Sequence, residues 1–364
     1  MPDRHPLTIG IDARAAAEPV VGRGRVVQEL LRALNERAEA CRYVLYARQS
    51  WEAGLDARFR WRLISRADPW WHLQAAVAAS RECDVFLSSN SYLTPWFLSI
   101  PTVPVVYDMV AFDSSMRPAR RSMLIERLTL GIAIRRSAAF IAISQATAEE
   151  FARRFPRAKG RIIVAPLAAA SSVTQPSLTS PDGRLPAPGF VLAVGTLEPR
   201  KNLPRLVEAY RRLPEELQSR HPLVVVGKLG WQVGETVEAL RLLGDRCRVL
   251  GHVSNADLAE LYRRCAVFCY PSLGEGFGLP VLEAMTCGAA VITSNRSSLP
   301  EVGGDAVEYV DPTRAASIAA ALEGLLRDPA RRQELAVRGR DRAGAYSWDR
   351  TAQITLEVLT GVAR

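Results

Sequence analysis

The chain reads as an α/β protein made of two doubly wound parallel sheets. Three observations predict this: its length, a repeated alternation of short apolar runs with longer helical patterns, and a polar break after which the alternation starts again. Its 364 residues amount to two domains of ordinary size, each able to bury a core. Residues 7–11 are an apolar run, and residues 24–37 follow with Val26, Val27, Leu30, Leu31 and Leu34 on a helical period. Further strands are expected at 44–46, 85–87, 103–107, 139–143 and 162–165, an alternation that implies a parallel sheet. Residues 171–189 (SSVTQPSLTSPDGRLPAPG) are rich in Ser, Pro and Gly and separate two such patterns. Beyond them, strands are expected at 190–194, 223–226, 248–250, 267–270 and 290–293. Helices begin near 203 and cover 233–243, 256–264 and 279–286. The organisation is therefore a first domain over 1–172, a linker over 173–188, a second domain over 189–345 and a closing segment over 346–364. Two such domains would enclose a cleft between their facing sheet ends.

Hydrophobic residues make up 48% of the chain, yet no apolar run approaches the ~20 residues of a spanning helix. The first apolar run is too short for a signal-peptide core, so a cytoplasmic location is expected. The six cysteines include no C-x-x-C and no cluster with histidine, which argues against a zinc site or a disulfide framework; Cys265 and Cys269 suit a helix end running into a buried strand. The net charge of +9 sits almost wholly in the first 180 residues, with 24 Arg and Lys against 16 Asp and Glu. Such a half expects an anionic partner. Two stretches mix arginine with apolar residues as interfacial helices do: residues 58–62 through 68–72, and residues 116–136. Peripheral contact with the inner face of an anionic membrane is the expectation, and no nucleic-acid module accompanies the charge.

Two segments carry chemistry. Gly195-Thr-Leu-Glu-Pro-Arg-Lys-Asn202 follows a buried strand and opens a helix, with Asn202 placed to cap it and Pro204 in its first turn. Arg200 and Lys201 then stand at a helix N-terminus, where two cations repel unless an anion, such as a diphosphate, sits between them. Glu275-Gly-Phe-Gly-Leu-Pro-Val-Leu-Glu283 places one glutamate in a glycine-bounded loop and a second inside an apolar helix. A carboxylate there needs hydrogen-bond donors, and a pair of ribose hydroxyls would supply them.

These two segments, together with LGHV…ADLAELYRR and Ser298-Leu-Pro-Glu-Val302, resemble the retaining glycosyltransferases of family GT4, most closely the mannosyltransferase-like members. The resemblance implies a GT-B fold of two Rossmann-like domains facing across a cleft, with the closing segment crossing back to the first. It implies that Glu283 holds the ribose, that Arg200 and Lys201 hold the diphosphate, and that Glu275 with Gly276, Phe277, Gly278 and Leu279 holds the transferred sugar. Val253 would meet the base through its backbone, and Gly22 and Gly24 would line the donor cleft. The resemblance implies that no cofactor or metal ion is required, since cations and helix N-termini would stabilise the departing diphosphate. Front-face attack by the acceptor, with the leaving phosphate taking its proton, is the usual account of retention, so Glu275, Asp108, Arg200 and Lys201 are the residues expected to serve catalysis.

GDP-mannose is the first donor implied, with UDP- and dTDP-sugars left open, and the acceptor is a glycan or lipid-linked glycan of bacterial polysaccharide or lipopolysaccharide synthesis. Two positions depart from the family pattern: Thr196 stands where many relatives carry arginine, and Tyr107 stands where a histidine commonly precedes Asp108. A tyrosine is a poor base at neutral pH, so Tyr107 and Asp108 are expected to orient the acceptor. These departures prompt a second reading, a catalytically inactive GT-B-like scaffold, against which the intact Glu275, Glu283, Arg200 and Lys201 argue. The loop at 20–25 lacks the spacing of a dinucleotide fingerprint, which weakens a dehydrogenase reading. His252 suits a loop or base-site wall, and Ser144 suits a helix cap.

Overall fold

In a computed structural model, the described residues are 6–17, 22–51, 54–109, 112, 120–174, 185–231 and 233–363. The chain divides into two units: Met1–Leu167 with Ser347–Arg364, and Ala168–Tyr346. Most of the expected linker, residues 175–184, lies outside the described residues. The turn Ser171–Thr174 is helical, and its Val173 is fully buried within the second unit.

The first unit holds seven parallel strands: β1 Thr8–Asp12, β2 Arg42–Ala47, β3 Phe59–Leu63, β4 Val85–Ser88, β5 Thr102–Val106, β6 Phe140–Ala142 and β7 Ile162–Val164. Their order is β3-β2-β1-β4-β5-β6-β7. The second unit holds six: β8 Val191–Val194, β9 Leu223–Val226, β10 Cys247–Gly251, β11 Val267–Tyr270, β12 Val291–Ser294 and β13 Glu308–Val310, in the order β10-β9-β8-β11-β12-β13. The central strands are apolar because helices cover both faces of a parallel sheet. Around β8 and β11, for example, Val191, Ala193, Val267 and Cys269 are buried with Leu206, Tyr210, Ile318 and Leu322 from flanking helices. In each sheet the strand order reverses once, between β1 and β4 and between β8 and β11, and ligands of such sheets bind beyond the strand ends at that point.

Three expectations change. Residues 58–62 do not form an interfacial helix. Phe59–Leu63 is the edge strand β3, Phe59 stacks on Tyr43 with centroids 4.4 Å apart, and the Arg58 guanidinium is held by Asp56 and by the carbonyls of Asn35, Arg37 and Glu39. The helix after the glycine loop starts at Arg23, so Gly24 is buried in its first turn and only Gly22, at φ 67°, stands outside. Residues 18–21 of that loop lie outside the described residues. Asn202 does not cap through its side chain. It adopts a left-handed backbone, and its amide donates to the carbonyls of Pro271 and Pro312.

Candidate functional site

The strand ends at the reversal in the second sheet bring the two sequence segments together. After β8 the chain passes Gly195 and Thr196 and makes a 3-10 turn at Pro199–Lys201, and after β11 it runs through Pro271 to the Glu275 loop. Arg200 is stitched across: the Leu273 amide donates to its carbonyl at 2.9 Å, and its Nη1 donates to the Gly274 carbonyl at 3.0 Å. Gly195 leaves room for the Lys201 stem, because a Cβ there would lie 3.2 Å from Lys201 Cε.

Glu275 sits between the two cations. Its Oε1 accepts from Lys201 Nζ at 2.7 Å, from the Tyr270 hydroxyl at 2.8 Å and from the Ser272 hydroxyl at 2.5 Å, while Oε2 accepts from Arg200 Nη1. Burial alone would raise its pKa, but the charges of Lys201 and Arg200 outweigh burial and hold it at about 2. Burial lowers the pKa of Lys201 against the pull of Glu275, and burial followed by the Glu275 charge raises that of Tyr270, keeping its hydroxyl a donor. The anion that the paired cations require is thus supplied by the protein's own carboxylate.

Several side chains outside the two expected sets complete the cluster. Besides Tyr270 and Ser272, Glu198 accepts from Arg200 Nη2 at 2.7 Å and in turn receives the Trp231 indole N–H at 3.3 Å. Ser297 and Ser298 fix the loop itself: their hydroxyls donate to the Glu275 carbonyl at 2.6 and 2.9 Å, and Ser298 lies 2.8 Å from the Phe277 carbonyl. Phe277 packs edge-on against Tyr346, with centroids 5.8 Å apart.

Gly278 has φ 111° and introduces the helix Leu279–Thr286, with Pro280 in its first turn and Gly288 at φ 79° just past its end. Glu283 lies in this helix, 2% exposed, and the Tyr262 hydroxyl donates to its Oε2 at 3.4 Å. Val253 lies in the loop between β10 and the helix Asn255–Arg264, next to exposed His252.

Gly22, Gly24, Tyr107 and Asp108 belong to the first unit. Tyr107 and Asp108 follow β5; Tyr107 is buried, with the Arg23 guanidinium 5.1 Å from its ring centre, and burial raises its pKa. Ser144 caps the helix Gln145–Arg154 by accepting from the Thr147 amide.

Neither segment signals what stands at the first sheet's own reversal. There Arg14 makes a two-pronged pair with fully buried Asp12 (3.0 and 2.8 Å), reaches Asp68 at 3.3 Å and lies 3.8 Å over the Trp71 ring. His72 Nδ1 is 2.8 Å from the Thr94 hydroxyl, and burial followed by the Arg14 charge lowers the His72 pKa to about 4.

Residues 182–342 match the family described as glycosyl transferases group 1. The matched residues lie within the second unit. Among curated relatives, the O-antigen chain mannosyltransferase B of Escherichia coli is 37% identical over 227 residues, 59% of this chain and 58% of that protein. The serotype-specific mannosyltransferase WbdA of Escherichia coli is 33% identical over 280 residues, 73% of this chain and 34% of that one. The chain thus spans less than two thirds of either relative. Among solved structures, Anabaena Alr3699/HepE, in complex with UDP and glucose, superposes with a TM-score of 0.77 at 17% identity over 98% of this chain and all of that one. The architecture is the GT-B fold. The segments that the family model spans include all of Arg200, Lys201, Glu275 and Glu283.

Proposed function

We propose that this protein is a retaining glycosyltransferase that moves a hexose, mannose from GDP-mannose in the first instance, onto a glycan or lipid-linked glycan during bacterial polysaccharide or lipopolysaccharide synthesis. The observation that carries the reading is the Arg200–Glu275–Lys201 cluster at the sheet reversal. Two cations preorganised around a carboxylate form a seat for negative charge, and a departing nucleoside diphosphate develops that charge when the glycosidic bond breaks. Arg200 and Lys201 bind the diphosphate without a metal ion, while Glu275, released from them, faces the sugar hydroxyls. Buried Glu283 accepts from the ribose hydroxyls. The backbone around Gly276, Phe277, Gly278 and Leu279, fixed by Ser297 and Ser298, places the sugar, and the Val253 and Thr196 backbones line the nucleotide. Tyr107 and Asp108 orient the acceptor hydroxyl. Transfer needs positioning and charge stabilisation more than an enzymic nucleophile. The mannosyltransferase names of the relatives support mannose and the O-antigen setting, which implies action at the cytoplasmic face.

Calorimetric titration with GDP, UDP and dTDP, then with the matching nucleotide sugars while donor turnover is followed, tests the proposal. Selective GDP binding that weakens at least about tenfold in Glu283→Ala is the expected outcome. Selective binding of UDP or dTDP would replace the donor, and nucleotide binding without turnover in the presence of lipid-linked glycan would replace the enzyme by a scaffold.

A further inference from the structure

Two loops leave the second sheet side by side, after β8 and after β9, and their backbones are tied together. The Gly195 amide donates to the Val226 carbonyl at 2.9 Å, the Leu197 amide to the Lys228 carbonyl at 2.9 Å, and the Gly230 amide back to the Leu197 carbonyl at 3.0 Å. The approach is close: a Cβ on Gly230 would stand 2.6 Å from the Leu197 carbonyl oxygen and 2.8 Å from Thr196 Cγ2, so glycine is needed there. The next residue on each loop is thereby brought to the other. Glu198 follows Leu197, Trp231 follows Gly230, and the half-buried indole donates its N–H to Glu198 Oε2 at 3.3 Å.

The other oxygen of Glu198 takes Arg200. Oε1 accepts from Arg200 Nη2 at 2.7 Å and from Nε at 3.1 Å, and two bonds along one edge of a planar guanidinium fix its plane. Nη1 is then turned toward the Gly274 carbonyl, at 3.0 Å, and toward Glu275. The Arg200 and Glu198 side chains are only 18 and 15% exposed, so little water is at hand to reorient either charge. Glu275 is the carboxylate that gives way to a diphosphate, whereas Glu198 holds the opposite edge of the guanidinium and has no need to move.

We propose that Trp231 and Glu198 are positioning residues for the diphosphate seat: the indole sets the Glu198 carboxylate, and Glu198 holds Arg200 so that Nη1 stays aimed at the leaving diphosphate once Glu275 is displaced. This relay rests on the reading of Arg200 as a diphosphate ligand. A donor aimed in advance needs no reorganisation as charge develops on the leaving group. A guanidinium oriented by Glu275 alone would lose its direction at the moment Glu275 leaves. Trp231 acts through Glu198 and not on the nucleotide itself.

The test is a calorimetric double-mutant cycle between Trp231→Phe and Glu198→Ala, with GDP, UDP and dTDP, the matching monophosphates and inorganic pyrophosphate as probes. Trp231→Phe keeps an aromatic ring and removes the N–H. It is expected to weaken the diphosphate that the wild type binds about tenfold, while the matching monophosphate, which lacks the β-phosphate, stays within about twofold. In the Glu198→Ala background the same substitution is expected to change diphosphate affinity less than about twofold, because its effect passes through a carboxylate no longer there. Arg200→Lys, which has no guanidinium plane to hold, is the second background and is expected to behave alike. Equal weakening of monophosphate and diphosphate would put Trp231 on the nucleoside and overturn the proposal, as would a loss that persists in both backgrounds or a diphosphate affinity indifferent to Trp231→Phe. Absence of binding by every diphosphate overturns it together with the reading it rests on. Diphosphate binding that follows the cycle without any sugar transfer upholds the relay and overturns the transferase alone.

Discussion

Glu275 is a carboxylate enclosed by donors: a lysine, an arginine and two hydroxyls converge on its two oxygens. Removing its charge in Glu275→Gln leaves Arg200 and Lys201 facing each other with their shared anion gone. An incoming diphosphate then has no resident carboxylate to displace. Nucleoside diphosphate affinity is expected to rise about tenfold by calorimetry, while sugar transfer falls at least about a hundredfold because the contact to the sugar is lost. Stability moves the other way. The carboxyl is held at about 2 in the folded chain against an ordinary 4.5, so its contribution is present above pH 4.5 and is lost as the pH falls toward 2. The size is about 3 kcal/mol, and urea titrations between pH 6 and 3 are expected to show a steeper slope in the wild type than in the Gln variant. The residues of this cluster were only partly legible in the sequence. Arg200, Lys201, Glu275 and Glu283 stand in two short motifs, but Glu198 and Trp231 meet across 33 residues, as in the first unit Arg14 finds Asp68 across 54, and such pairings are made only by the fold.

At the level of elements, the apolar strands were readable because burial on both faces leaves a plain hydrophobic run: β9 and β11 fall at the expected residues, as does the helix Leu279–Thr286. Strand β3 was not read as one, since an edge strand with mostly exposed alternate positions carries arginines where a central strand would carry valine. Turns between elements are set by backbone that a motif does not reveal. Gly227 ends β9 at φ 152°, and a Cβ there would stand 1.9 Å from the Gly195 carbonyl oxygen. Gly227→Ala must therefore push apart the ends of β8 and β9 and displace the turn that carries Arg200 and Lys201. A loss of about 3 kcal/mol is expected in thermal unfolding, with at least about tenfold weaker nucleotide binding in the fraction that folds. Gly234→Ala is the matched comparison: a Cβ there meets nothing within 4 Å, and the substitution is expected to be close to neutral.

Across the whole molecule, sequence order and unit membership part company at the end of the chain. The helix Trp348–Val362 follows the second unit in sequence and belongs to the first. Its amphipathic pattern alone suits either unit; long-range contacts decide. Ala352, Leu356 and Leu359 are buried, the Thr351 hydroxyl donates to the Pro166 carbonyl, and Arg37 pairs with Asp349 at 2.5 Å. Burying two leucines with smaller apolar neighbours contributes roughly 5 kcal/mol, comparable with the whole stability of an ordinary domain, at about 5–15 kcal/mol. The second unit has a buried cluster of its own, with Leu206, Ile318, Leu322 and Leu335 in it. A chain ended after Tyr346 is therefore expected to lose the first unit's cooperative unfolding while the second still melts as a unit and still binds nucleotide within about threefold of wild type, with transfer abolished. Differential scanning calorimetry with and without nucleotide checks both halves of the expectation. A truncated chain that keeps both transitions would mean that the first sheet is stable without its last helix, and loss of both would mean that the two units unfold as one.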